Sequence, residues 1–218
     1  MTPLPAHRHP VVIALTGLPG TGKTRLGSAL YPLLPPAFAY LDIDTLTQPL
    51  VQASLEECGT TLEAAAAAGT LRRLRDAQYR CLWNQVRELV AFRRGVLVVA
   101  PMTHELDDPP AFREIVASLE PARFVLIRTH ADAPTVRRRL EQRRDFLDEL
   151  RISRWATDLH RYLRPPALPM PGLEIDTSEG SPQSHVERAL AWLRPQLALA
   201  HDAGNTATIE PAGARMHA

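Results

Sequence analysis

The sequence predicts an α/β protein whose core is a five-stranded parallel sheet flanked by helices. Five short, largely apolar segments alternate with longer segments of helical periodicity; they cover residues 11–15, 38–44, 96–100, 123–127 and 173–176. The third segment is apolar at every position, which is typical of a strand buried on both faces. Strands that alternate with helices pair in parallel through right-handed crossovers, and ligands then bind where the strands end.

The segments that follow the strands carry their own helix signals. Helices are predicted over residues 25–34, 45–58, 60–92, 108–119, 131–144, 145–163 and 181–200. A cap is placed within residues 60–63 and another at Asp108, and Gly69 offers a point at which the longest helix can divide. The chain of 218 residues fits one domain over residues 11–202. Residues 1–10 form an extension, and residues 203–218 are expected to be disordered because they lack an apolar pattern.

Composition restricts the partners that the protein can have. A net charge of +1 gives no electrostatic argument for a nucleic acid or an anionic membrane. Cys58 and Cys81 have no metal-type spacing, so two reduced thiols are expected. Residues 1–10 lack the apolar core of a signal peptide, and no segment is apolar enough for a membrane span. We therefore expect a cytoplasmic protein without a membrane partner.

A glycine-rich motif with the sequence GLPGTGKT follows the first predicted strand and precedes the first helix. Its spacing, G-x-x-x-x-G-K-T, is that of a phosphate-binding loop (P-loop) in the required context. The glycines let successive N–H groups turn around an anion, and the helix N-terminus adds partial positive charge. Lys23 is expected to reach the β- and γ-phosphates, and the Thr24 hydroxyl to ligate Mg²⁺. The predicted nucleotide contacts here are Gly17, Pro19, Gly20, Thr21, Gly22, Lys23, Thr24 and Arg25.

Lys23 is the only lysine in the chain, and the other 24 of the 25 basic residues are arginine. A compact ammonium group fits between phosphates better than a guanidinium fork does. A lysine at this position in an arginine-rich chain therefore indicates a phosphate site rather than an ordinary glycine turn. Without a second lysine, the guanine-specific Asn-Lys-x-Asp element cannot exist, which argues against a GTPase switch.

Two carboxylates, Asp42 and Asp44, end the second predicted strand. Residues two apart in a strand face the same way, so both side chains can point toward the P-loop. Such a pair suits phosphoryl transfer to an alcohol, because one carboxylate can orient the hydroxyl while the other supports Mg²⁺ through waters. Alternatively, Asp44 or Thr45 only caps the following helix. The next strands lead into Pro101 and Arg128, without the carboxylate of motor-type ATPases.

The P-loop together with the segments 41–44, 139–144 and 175–178 resembles the small P-loop kinases. That group includes gluconate kinase, chloramphenicol phosphotransferase, adenylylsulfate kinase, zeta-toxin-like kinases and the kinase domain of polynucleotide kinase. The similarity covers roughly residues 11–199. It implies the P-loop nucleoside triphosphate hydrolase fold with a mobile, arginine-rich helical lid over about residues 137–163.

The resemblance also implies roles for particular residues. Asp44 matches the acid that activates the substrate hydroxyl, and Thr177 matches the segment beside the adenine. Arg139, Arg143 and Arg144 match lid arginines that close over the phosphates. The arginines could instead form a solvated helix face, and residues 176–178 a plain turn. The relatives carry an aspartate at the end of the third strand that this chain lacks, which leaves part of the metal's surroundings unassigned.

The loop after the third strand is where this fold places contacts to the substrate. It carries Thr103, His104 and Glu105, which are expected to bind polar groups of the acceptor, although His104 could be an exposed loop residue. The sequence thus predicts an ATP-dependent, Mg²⁺-requiring kinase that phosphorylates a hydroxyl of a small molecule, as a monomer or homodimer. The catalytic candidates are Lys23, Asp42, Asp44, Arg143 and Arg144.

Two other functions stay open. A polynucleotide 5′-hydroxyl kinase would need a basic track for the backbone, which the arginine-rich helix could supply but the near-neutral net charge argues against. A nucleotide-binding regulatory or toxin-like module with little turnover would have no need for the pair of aspartates.

Overall fold

Five parallel strands form one sheet, with the P-loop after its central strand. The computed structural model describes residues 9–163, 165 and 167–202. The strands are β1 Val11–Thr16, β2 Phe38–Asp42, β3 Gly95–Val99, β4 Arg123–His130 and β5 Gly172–Asp176. Their order is β2-β3-β1-β4-β5, and every pairing is parallel. The predicted fold class is confirmed, whereas the tail over 203–218 and residues 1–8 of the predicted extension lie outside the described residues.

Helices cover both faces of the sheet. Within the described residues they are α1 Lys23–Leu30, α2 Ile43–Glu57, α3 Leu62–Ala67, α4 Thr70–Ala91, α5 Thr103–Asp107, α6 Pro109–Ala117, α7 Ala133–Arg143, α8 Asp148–Ser153, α9 Trp155–Leu163 and α10 Pro182–Asp202, with a 3₁₀ turn at Tyr31–Leu33. No helix in this described part is both long and apolar enough to cross a bilayer.

Helix boundaries follow local capping chemistry. The side chains of Thr61, Asp108 and Asp132 each accept a hydrogen bond from the N–H three residues later, at 3.2, 3.1 and 2.7 Å. Each bond satisfies one of the backbone donors that a helix start leaves free. Gly69 adopts a left-handed backbone conformation between α3 and α4, so the predicted long helix divides at that residue.

The alternation of side chains along β1 divides the core into two layers. Val12 and Ala14 face one layer, where they pack with residues of α4 and α6, including Leu82 and Phe112. The opposite face of β1 packs in a second layer against α1 and α10. Each large apolar side chain that becomes fully buried stabilises the fold by about 1.5–3 kcal/mol. The two layers hold the sheet rigid, and the strand ends carry the loops of the cavity described below.

Several predicted boundaries are wrong, among them the end of the first helix, which is predicted at Leu34 but observed at Leu30. The second strand ends at Asp42, because the Asp42 carboxylate accepts from the N–H of Asp44 at 2.9 Å and so starts α2 at once. The fourth strand continues to His130, because β5 pairs along its last residues. The predicted helix over 145–163 is divided into α8 and α9, which meet at Arg154.

Candidate active site

The P-loop is wedged between the sheet and the lid. Gly17 and Gly20 have φ values of +138° and +82°, in the region that favours glycine. A Cβ atom on Gly17 would lie 2.2 Å from the carbonyl oxygen of Thr129 in β4. A Cβ atom on Gly20 would lie 2.8 Å from Cγ1 of Val136 in α7. The loop can therefore keep this shape only if glycine occupies both positions.

Lys23 lies in the first turn of α1 and crosses back over the loop. Its side chain is buried, and Nζ donates to the carbonyl oxygen of Leu18 at 3.1 Å. Burial lowers the pKa of Lys23 to about 8; the nearby carboxylates of Asp44 and Asp42 oppose this shift. The ammonium group is thus held at the mouth of the loop, where phosphates bind in such motifs.

Thr24 and Asp42 bring two hard oxygens together beside Lys23. Thr24 Oγ1 donates to Asp42 Oδ2 at 3.0 Å, while Asp42 Oδ1 caps α2. A hydroxyl and a carboxylate suit Mg²⁺, which takes few protein ligands and fills its shell with water and phosphate oxygens. These two residues therefore fit the metal that the P-loop implies.

A cavity of about 880 Å³ opens in front of the P-loop. Its walls come from α1, α2, the lid and the segment after β5. Helix α2 follows the edge strand β2, and the last of these segments follows β5 at the opposite edge of the sheet. These two walls therefore lie on either side of the P-loop, which follows the central strand. The volume lies in the upper part of the usual range for ligand pockets.

Asp44 faces this cavity from the first turn of α2. Its pKa is raised, first by burial and then by the charge of Asp42, although Arg151, Lys23 and Arg143 oppose the shift. The prediction that Asp42 and Asp44 share one face of a strand is wrong, because Asp42 caps α2 and Asp44 lies within it. The predicted convergence on the cavity is nevertheless observed, since both residues line it.

A buried carboxylate aligns two arginines of the lid. Asp148 is fully buried and accepts from Arg143 Nε at 2.8 Å, Arg143 Nη2 at 2.6 Å and Arg151 Nη1 at 2.8 Å. Burial alone would raise the pKa of Asp148, but these hydrogen bonds hold it below its usual value. Both arginines line the cavity. Arg144 instead ends α7 with φ +49°, is exposed and does not line the cavity.

Sequence reasoning missed Arg151. Arg151 follows Asp148 by three residues, so both side chains lie on one face of α8. This spacing was the feature of the sequence that could have indicated the pair. The pattern acquires meaning only once the fold brings α8 to the cavity. Gln48 and Gln52 of α2 were missed in the same way and also line the cavity.

Arg139 and Thr177 connect three segments on the β5 side. Arg139 Nη1 donates to the Gly20 carbonyl at 3.2 Å and to Thr177 Oγ1 at 2.9 Å. Thr177 Oγ1 donates to the Thr21 carbonyl at 3.0 Å. This network joins the P-loop, α7 and the segment after β5, and both residues line the cavity.

The predicted acceptor contacts after β3 do not reach the main cavity. Thr103, His104 and Glu105 lie in the short helix α5 rather than in a loop, and Thr103 lines a separate cavity of about 240 Å³. Glu105 accepts from Arg75 Nη2 at 2.7 Å, and Arg75 lies 4.1 Å above the ring of Tyr79. His104 lines neither cavity. The Glu105 contact joins α4 to α5.

No protein-family model and no curated protein matches the chain. Solved structures do resemble it. A candidate kinase from Chloroflexus aurantiacus J-10-fl has a TM-score of 0.60 at 21% identity, over 87% of this chain and 96% of that one. A sugar kinase from Janibacter sp. HTCC2649 has a TM-score of 0.57 at 16% identity, over 84% and 94%.

A third structure extends this agreement. A gluconokinase from Sinorhizobium meliloti 1021 has a TM-score of 0.53 at 17% identity, over 92% of this chain and 99% of that one. At these identities the comparison shows the fold. The chain has the fold of the small P-loop kinases over nearly the full length of each of these structures, as the sequence resemblance implies.

Proposed function

We propose that the protein transfers the γ-phosphate of Mg-ATP to a hydroxyl group of a small molecule. The observation that carries this proposal is the position of Asp44, whose half-buried carboxylate faces the same cavity as Lys23 and Thr24 of the P-loop. A protein that only binds a nucleotide has no need for a basic carboxylate next to the phosphate site.

The nucleotide phosphates are held by the P-loop amides and by Lys23. Thr24, with Asp42 acting through waters, would hold Mg²⁺, which neutralises charge on the phosphates when it is bound. Arg139 and Thr177 lie on the β5 side of the P-loop and would contact the rest of the nucleotide.

Asp44 accepts a hydrogen bond from the hydroxyl group of the small molecule. It then takes the proton of that hydroxyl as the hydroxyl oxygen attacks the γ-phosphate. Its raised pKa makes it a stronger base than an exposed aspartate, and positioned bases of this kind contribute about 10²–10⁴-fold to a rate. Asp44 lies on α2, across the cavity from the segment after β5. An acceptor at α2 and a nucleotide at the P-loop can therefore be bound at the same time.

Arg143 and Arg151 provide positive charge where the transferred phosphoryl group passes. Asp148 holds both guanidinium groups, so little rearrangement is needed when negative charge develops. The lid also excludes water, which would otherwise hydrolyse ATP. Hydrogen bonds to other segments hold it in place, among them Gln48 Nε2 to Asp145 Oδ1 at 2.8 Å and Tyr162 OH to the Pro19 carbonyl at 3.3 Å.

The test is transfer of labelled γ-phosphate from Mg-ATP to a panel of acceptors. The panel contains sugars, sugar acids, amino sugars, nucleosides, a phenicol antibiotic and a 5′-hydroxyl oligonucleotide. Wild-type protein is compared with Asp44→Asn and with Asp76→Asn, a matched control whose side chain is 55% exposed on α4. We expect label on a small acceptor, lost in Asp44→Asn and kept in Asp76→Asn. Label on the oligonucleotide alone would contradict the proposal and favour the polynucleotide kinase.

A further inference from the structure

We propose that the acceptor is an uncharged, polyhydroxylated aliphatic molecule that binds along one face of α2. This face, called here the amide face, consists of Asp44, Gln48 and Gln52. The inference rests on the proposed phosphotransfer and names the substrate class of that site. Three observations carry it: the spacing of these residues, the hydrogen-bonding groups beside them and the charges around the cavity.

The amide face is a regular row of polar groups. Its three residues are four positions apart on α2, so they lie on one side of the helix with a rise of about 6 Å between neighbours. All three line the main cavity. Helical side chains lean toward the helix N-terminus, so both glutamines lean toward Asp44. A molecule whose reacting hydroxyl is at Asp44 can therefore place its other hydroxyls on the two amides.

The surroundings of this row offer hydrogen-bond acceptors to a ligand. Gln48 Nε2 already donates to Asp145 Oδ1 at 2.8 Å, which engages part of its donor capacity and leaves Oε1 for a ligand. Pro49 lies inside α2 and has no N–H, so it cannot bond the Thr45 carbonyl four residues earlier. Thr45 and Pro49 both line the cavity. Hydroxyl groups supply the donors that such a surface needs, whereas carboxylate and phosphate groups supply none.

Among the residues that the structure describes, the charges of the cavity leave no cation for an acidic acceptor. Five cationic side chains of this described part line it: Lys23, Arg25, Arg139, Arg143 and Arg151. Three carboxylates line it as well, and the fully buried Asp148 binds two of the arginines. Mg-ATP adds a net double negative charge, which engages the remaining cations at the phosphates. An acidic acceptor would then face a negative environment without a partner.

Aromatic acceptors are not favoured either. Among the described residues that line the cavity there is no Phe, Tyr or Trp, and the only aromatic ring is the imidazole of His185 on the β5 side. Flat aromatic ligands usually gain affinity by stacking on such rings. The α2 wall offers amides and a carboxylate instead, which indicates hydrogen bonding to an aliphatic molecule.

The experiment compares kcat/KM for hydroxylated acceptors of different charge, most of which share the carbon skeleton of glucose. Glucose, sorbitol and maltose represent the neutral class; gluconate and glucuronate are the acids, glucosamine is the amine, and thymidine is the aromatic control. We expect the best neutral acceptor to exceed the others at least tenfold. A higher kcat/KM for an acid, the amine or thymidine overturns the inference but leaves the proposed phosphotransfer intact. No transfer to any of them, with the wider panel also negative, overturns both.

A pair of variants tests the role of the amide face itself. Gln52→Ala should raise KM for the best neutral acceptor about tenfold while KM for Mg-ATP stays unchanged. Gln85→Ala, at a partly exposed position on α4 whose amide donates to Glu88, is the matched control and should leave both constants unchanged. Equal KM values for the acceptor in Gln52→Ala and Gln85→Ala would overturn the assignment of the amide face.

Discussion

The P-loop wall and the lid wall of the cavity are built in different ways. The P-loop is fixed by backbone geometry and short-range bonds, such as Lys23 Nζ and Thr21 Oγ1 to the Leu18 carbonyl at 3.1 and 2.7 Å. The lid depends on contacts between side chains: the ion pairs of Asp148 align Arg143 and Arg151, and bonds such as Gln48 Nε2 to Asp145 Oδ1 join the lid to other elements. The P-loop wall is therefore specified locally in the chain, whereas the groups proposed for transfer depend on side-chain contacts within and beyond the lid.

Removal of the P-loop ammonium should have the largest effect. Lys23→Ala should lower phosphate transfer by about 10²–10³-fold, because the buried charge next to the phosphates is lost. The variant should stay folded, because removal of a buried ammonium group also removes its desolvation cost. Circular dichroism and thermal melting check this. Lys23→Arg is the companion variant and should also be impaired, because its fork does not fit between phosphates. Near-normal turnover in Lys23→Ala would refute the role of the loop.

Disruption of the lid's ion pairs should have the next largest effect. Asp148→Asn should lower kcat by about 10–100-fold and leave KM for Mg-ATP nearly unchanged, because both arginines lose alignment. The free energy of unfolding should fall by about 1–3 kcal/mol. Glu149→Gln, at the exposed neighbouring position, is the control. An unchanged kcat in Asp148→Asn would show that the two walls do not differ in the way described.

The stability of the lid should also depend on pH. The pKa of Asp148 in the folded protein is held below the ordinary value of 3.8. The ionised carboxylate therefore stabilises the fold at pH values above 3.8, and this stabilisation is lost as the pH falls through the pKa of the folded protein. Asp148→Asn should therefore flatten the acid limb of the unfolding curve. A curve that keeps the wild-type acid slope would contradict this account.

The P-loop wall should show its own pH dependence, through Lys23. Because its pKa is lowered to about 8, Lys23 loses its charge in the free protein as the pH rises through that value. At pH values above this pKa, Lys23 must take up a proton when Mg-ATP binds. The affinity for Mg-ATP should therefore fall about tenfold per pH unit. Titration calorimetry in two buffers of different ionisation enthalpy measures both quantities. Constant affinity to about pH 9.5, without proton uptake, would contradict the prediction.

The smallest effect should come from Arg144. Arg143→Ala should lower kcat about tenfold, because Arg143 lines the cavity, whereas Arg144→Ala should change it less than twofold. Arg144 is exposed and has a left-handed backbone, so Arg144→Gly should leave activity unchanged and add up to about 1 kcal/mol of stability. Steady-state kinetics and melting curves compare all three variants. Equal losses in Arg143→Ala and Arg144→Ala would show that the lid contacts the phosphates differently.

The contrast between the walls explains what could be predicted from the sequence. The P-loop and the helix caps depend on residues within a few positions of one another. The cap predicted within residues 60–63 is observed at Thr61, and the predicted cap at Asp108 is confirmed. The geometry of Asp42 was misassigned because a carboxylate can continue a strand pattern or cap a helix. Once it caps α2, Asp44 turns onto the helix.

The parts that the sequence did not reveal depend on distant contacts. Glu105 looked like a ligand for the acceptor, but its partner Arg75 comes from α4, thirty residues earlier. The positions of Gln48 and Gln52 become informative only when the lid covers α2, through the Gln48–Asp145 bond. Periodicity placed both glutamines on a helix but could not show which face the cavity occupies.

The most direct test of the proposed transfer measures binding and chemistry separately in Asp44→Asn. With the acceptor that the panel identifies, we predict that Mg-ATP affinity stays within about threefold of wild type. The single-turnover rate of phosphate transfer should fall at least 10²-fold, because only the base is lost. Asp76→Asn should match wild type in both measurements. Transfer at the wild-type rate in Asp44→Asn would contradict the account and identify the aspartate as structural.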